Sequence, residues 1–97
     1  MFVVLLRFSH HKGQAAQFME GHNGWIAQGF DEGIFLLAGT IQPRLGGAIL
    51  ATGVSLDQLR QRVNDDPFVA HDVVSAEILE VTPGRTDRRL AFLSDDG

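Results

Sequence analysis

Ile34-Phe35-Leu36-Leu37-Ala38-Gly39-Thr40-Ile41, then Gln42-Pro43-Arg44-Leu45-Gly46-Gly47, then Ala48-Ile49-Leu50-Ala51: two apolar runs flank a block of turn formers. Neither run is long enough for a helix, so the segment reads as two strands joined by a compact turn. On both sides of it the period becomes helical. Upstream, from about Gln14 to Glu32, Ala15, Met19, His22, Ile26 and Phe30 recur at helical spacing, with Phe18, Trp25 and Gly29 beside them. Gly21, Gly24 and Gly29 each cost roughly 1 kcal/mol relative to alanine in a helix interior, so this helix depends on packing. Gly33 stands where a left-handed residue would end it. Downstream, Ser55 and Gln58 are spaced as a capping box, and Leu56, Leu59 and Val63 form the apolar stripe of a second helix. Asn64-Asp65-Asp66-Pro67 stops that helix, because a proline pushes the preceding residue out of helical geometry.

The outer segments complete the pattern. Residues 2–8 form an apolar run in which Phe2, Val4, Leu6 and Phe8 face one way and Val3, Leu5 and Arg7 the other. Ser9-His10-His11-Lys12-Gly13 breaks it. Val73 to Val81 is a further strand, carrying Glu77 and Glu80. The order strand, helix, strand, strand, helix, strand predicts an α+β, ferredoxin-like βαββαβ domain over residues 1–82. Its four-stranded antiparallel sheet would carry both helices on one face. The first three strands are apolar on both sides, so the second sheet face also asks for cover. A second copy of the chain is the simplest cover, hence an expected homodimer; an open face with scattered apolar residues is the alternative. Residues 83–97 are polar apart from Leu90-Ala91-Phe92-Leu93 and read as an extension that is docked or disordered.

Composition narrows the function. The chain has 97 residues, a net charge of −4 and no Lys/Arg cluster before its C-terminal end, which makes nucleic acid a poor partner. It has no cysteine, which excludes thiolate catalysis, disulfides and cysteine-held metal. Arg7 ends the opening apolar run without a leader-like flank, and no stretch approaches the ~20 apolar residues of a membrane span. The expected location is cytoplasmic. No glycine-rich loop precedes a helix at phosphate-binding spacing, which argues against a nucleotide, and no cofactor is expected; nor does any serine-nucleophile element suggest hydrolysis. His10, His11 and His71 fall in expected loops without metal-ligand spacing, so no metal is expected either.

The segment from His22 to Thr40 resembles the YCII-related family, in which a helix-borne histidine precedes a glycine and a strand ending in Ala-Gly-Pro. Asp66-Pro67-Phe68, followed by a valine-rich strand, is similar to that family's Asp-Pro-Phe element. The resemblance covers roughly residues 2–81, and Thr40 departs from it where proline is usual. It implies a dimeric α/β barrel with a His–Asp active site, which by position is His22 and Asp66.

The chemistry of those residues agrees with that role and also permits a plainer one. His22 lies on the expected apolar stripe, where a buried imidazole needs a polar partner. Asp66 is freed from helical geometry by Pro67, and helices packed side by side could bring the two together. A carboxylate would fix the imidazole's tautomer and leave a general base suited to taking a proton beside a carbonyl. The plainer reading is a hydrogen-bonded core histidine and a turn-making aspartate. Arg7 and Glu77 fall on adjacent strands. They would either line a pocket, with Arg7 anchoring a substrate carboxylate, or form a structural ion pair. Trp25 and Phe68 would wall an apolar substrate cavity or simply pack in the core. The leading expectation is a cofactor-independent lyase or isomerase acting on a small organic molecule. The rivals are a non-catalytic ligand- or protein-binding module and a cofactor-free monooxygenase.

Overall fold

The computed structural model describes residues 1–94. Strands β1 (Phe2–Phe8), β2 (Phe35–Ile41), β3 (Gly46–Ala51) and β4 (Val74–Glu80) form one sheet in the order β2-β3-β1-β4, every neighbouring pair antiparallel. Helix α1 (Ala15–Asp31) connects β1 to β2. Helices α2 (Leu56–Asn64) and α3 (Pro67–Ala70) connect β3 to β4, and a 3-10 turn, Arg88–Leu93, follows the sheet. This is the expected ferredoxin-like α+β arrangement.

β3 and β1 are the two inner strands of the sheet. Phe2, Val4 and Leu6 are buried under the helices, together with Ile49 and Ala51 of β3 and Leu59 and Val63 of α2. The opposite sheet face carries Val3, Leu5, Leu50, Leu37 and Leu79; Leu37 is 52% exposed and Leu79 42%. Along β2 the pairing slips by one residue between Phe35 and Leu37, which leaves Leu36 as a bulge.

Local sequence sets the element ends. Ser55 Oγ accepts the Gln58 N–H at 3.1 Å and the Gln58 side chain accepts the Ser55 N–H at 2.9 Å, so the expected capping box is formed. Gly33 follows α1 with φ of 74°, a conformation that glycine adopts without steric cost. Arg62 of α2 holds Glu32, at the end of α1, by hydrogen bonds of 2.9 and 3.3 Å. That guanidinium keeps the Glu32 carboxyl below its ordinary range.

Three sequence expectations are corrected. The buried arc of α1 centres on Trp25 and Gly29, whereas Met19 and Phe30 are 42% and 43% exposed. The reason is close packing: Gly29 lies against the Phe35 ring, which rotates the helix toward β2. Gly46 and Gly47, read as turn, are the first residues of β3, paired with Arg7 and Leu6. Past Pro67, where the sequence predicts only a helix stop and a loop at His71, the chain makes α3, with Asp66 as N-cap and Pro67 in its first turn. In the extension, Leu93 is buried; the part of that reading that falls on residues 95–97 lies outside the described residues.

Candidate active site

α3 is a one-turn device that presents two side chains to α1. Proline fits the first turn of a helix, where its missing N–H is not needed, and aspartate is a favoured N-cap. Asp66 therefore takes extended backbone, φ −63° and ψ 123°, and its Oδ1 accepts the Phe68 N–H at 3.0 Å. The same oxygen accepts from His22 Nδ1 at 2.8 Å. Asp66 is fully buried, and its second oxygen, Oδ2, has no partner among the described residues. The Phe68 ring lies flat on the imidazole, with centroids 3.9 Å apart and planes 5° apart.

The approach of α1 to α3 depends on Gly21. A Cβ there would lie 3.0 Å from Pro67 Cγ, so a larger residue requires the proline ring or α1 to give way by a few tenths of an ångström. With Nδ1 donating to the carboxylate, Nε2 is the nitrogen left to exchange protons, and it has no hydrogen bond among the described residues. The His22 side chain is 13% exposed, which leaves one edge open to a cleft.

That cleft, about 300 Å³, lies between α1 and the helix-facing side of β1, β2 and β3. Leu6, Ile49 and Gly47 form its floor, and Phe8, Met19, Ile26, Phe68 and Val74 its apolar walls. Asn23 and Thr40 also line it, each with a polar side chain. It is at the lower end of the roughly 300–1,000 Å³ typical of small-molecule sites.

A solved structure has this architecture: the 5-chloro-2-hydroxyhydroquinone dehydrochlorinase TftG from Burkholderia phenoliruptrix AC1100, in complex with 2,5-dihydroxybenzoquinone. Its TM-score is 0.62 at 14% sequence identity, over 87% of this chain and 96% of that one. The two chains share a fold. No protein-family model and no curated protein sequence matches the chain.

The remaining sequence candidates are placed elsewhere. Arg7 projects from the opposite face of the sheet, where it pairs with Glu77 at 2.8 Å, both side chains about half exposed. It does not share the cleft with His22. Trp25 is not a lining residue: its Nε1 donates to the Arg62 carbonyl at 2.9 Å, and its ring meets Phe35 edge-on at 5.1 Å. It ties α1 to α2 and so holds the helix that carries His22. Of the aromatic pair, Phe68 alone reaches the cleft.

His10 pairs with Asp72 at 3.0 Å, His11 contacts the His71 carbonyl at 3.1 Å, and His71 stacks on Phe18. Among the described residues no metal-holding group of three or more histidine and carboxylate side chains occurs. Sequence reasoning missed Asn23 as a lining residue, although its place beside His22 on a helix was a signal. Met19 was assigned to the core but lines the cleft, which explains its exposure.

Proposed function

We propose that this protein is a lyase-type enzyme that works without a cofactor, using His22 as the proton-transfer group and Asp66 as its orienter. The observation that carries this reading is the 2.8 Å His22–Asp66 hydrogen bond behind an imidazole that lines an apolar cleft. In an elimination, Nε2 would take a proton from the substrate. The electron pair left behind would form the new double bond, and the leaving group would depart with its own pair. The imidazolium so formed would be stabilised by the buried carboxylate, and returning the proton to another carbon instead would give an isomerisation. The dehydrochlorinase named above supports the class, because removing hydrogen chloride requires such a proton transfer.

The test uses 5-chloro-2-hydroxyhydroquinone first, then a panel of ring eliminations and isomerisations, with chloride release and absorbance as readouts. His22→Gln is expected to lower turnover by about 10²–10⁴-fold. Unchanged turnover in both His22→Gln and Asp66→Asn would refute the assignment. A second reading is favoured by one observation: Asp66 Oδ1 also caps α3, which is a structural duty. Under it the cleft binds without turnover, and the whole panel stays inert.

Membership of the YCII-related family and a homodimer belong to the same proposal. Val3, Leu5, Leu37, Leu50 and Leu79 form an apolar sheet face, and a second copy would bury it as one sheet covers another. Leu37→Asp is expected to yield monomers in sedimentation equilibrium; a wild-type chain already monomeric at micromolar concentration would rule the dimer out.

A further inference from the structure

The cleft's lining is unusual in what its polar groups are. Among the described residues His22 is its one ionisable side chain, and no arginine, lysine, aspartate or glutamate lines it. Behind His22 stands a fully buried carboxylate, so any negative charge on a ligand would meet Asp66 at close range. Lys12 holds its ammonium over the Phe8 ring, 4.9 Å from the centroid, and does not line the cleft, nor does Arg44 of the β2–β3 turn. Arg7 is on the far side of the sheet. A carboxylate or phosphate entering this apolar space would lose its water and meet no arginine or lysine among the described lining residues, which is unfavourable.

Two neutral groups are available instead. Asn23 comes from α1 and Thr40 from β2, so they approach the cleft from its two sides. Neither side chain makes a hydrogen bond within the described residues, so both are free to take up oxygens of a ligand. Gly47, paired with Leu6 and Thr40 on the same sheet face, leaves the floor between them without a side chain. We infer that the cleft selects a small uncharged ring bearing hydroxyl or carbonyl oxygens, held by Asn23 and Thr40, over any ring bearing a carboxylate or phosphate. This rests on the acid–base reading for its chemistry, but binding needs no proton transfer and is tested separately.

The experiment is a two-dimensional NMR titration of the full chain with hydroquinone, 4-hydroxybenzamide and 4-hydroxybenzoate. The last two have nearly the same shape and differ in charge. Hydroquinone is expected to shift the Asn23, Thr40 and Gly47 signals, and 4-hydroxybenzamide to bind at least about tenfold more tightly than 4-hydroxybenzoate. Asn23→Leu and Thr40→Val should each weaken hydroquinone by about five- to tenfold. Gly47→Leu should fill the floor and remove binding. Should Gly47→Leu fail to fold, the Asn23 and Thr40 variants carry the test. Equal affinity for the amide and the carboxylate overturns the inference, as does binding that maps elsewhere or no binding of the neutral rings. His22→Gln should still bind hydroquinone. Loss of turnover with retained binding separates this inference from the acid–base assignment, and loss of neutral-ring selectivity with retained turnover refutes this inference alone.

Discussion

Asp66→Ala is expected to destabilise the fold by about 2–4 kcal/mol and to abolish whatever turnover His22 supports. The stability figure combines the lost helix cap, which strands the Phe68 N–H and typically costs about 1 kcal/mol, with an unpaired His22 Nδ1, about 1–3 kcal/mol. The change also removes a buried carboxylate whose Oδ2 has no partner, and that relief keeps the total below a simple sum. Asp66→Asn separates the two duties. Its amide oxygen still accepts the Phe68 N–H, so the stability change should stay within about 1 kcal/mol. The charge that would stabilise an imidazolium is gone, so turnover should fall by at least about 10²-fold. Urea unfolding, the ¹⁵N shifts of the imidazole and the assay read the three effects independently. If Asp66→Ala unfolds at the wild-type urea midpoint, the carboxylate does not hold both groups.

Gly29→Ala should also destabilise the protein, by up to about 2 kcal/mol net. A Cβ at that position would overlap Cδ2 and Cε2 of Phe35. The ring has nowhere to go: it is 2% exposed and wedged edge-on between Trp25, at 5.1 Å, and Phe30, at 6.3 Å. Overpacking of this kind costs about 1–3 kcal/mol, more than the roughly 1 kcal/mol of helix propensity gained. Gly24 is the control on the same helix. Its Cβ would meet nothing within 4 Å, so Gly24→Ala should stabilise the protein by about 1 kcal/mol. Thermal melts of the two variants should move in opposite directions. Parallel shifts would mean that α1 does not press against Phe35 as described.

The fold was largely legible in the sequence because its signals are local. The alternation of Phe2, Val4 and Leu6, the Ser55–Gln58 box and the Gly33 stop each act within a few residues. What was not legible depends on neighbours distant in the chain. The rotation of α1 toward Gly29 follows from the shape of Phe35, and the strand character of Gly46 and Gly47 follows from their pairing with β1. α3 was hidden for a different reason. Asp66-Pro67 marks both the end of one helix and the start of another, and only the stop was heeded. In the site, His22 and Asp66 could be singled out singly, but their 2.8 Å contact is a tertiary fact. Arg7 shows the limit of strand-adjacency arguments: it does pair with Glu77, yet alternation puts that pair on the face away from His22.

The bulge at Leu36 has a consequence beyond the register of β2. That strand is one of the two outer strands of the sheet, and Leu36 and Leu37 both stand exposed on it. An uninterrupted apolar edge would template the strands of other molecules and seed fibrillar growth. The inserted residue breaks the even repeat of outward N–H and C=O groups, so an incoming strand cannot zip past it in step. At this edge of the sheet, one irregular residue thus hinders strand-by-strand addition of further molecules.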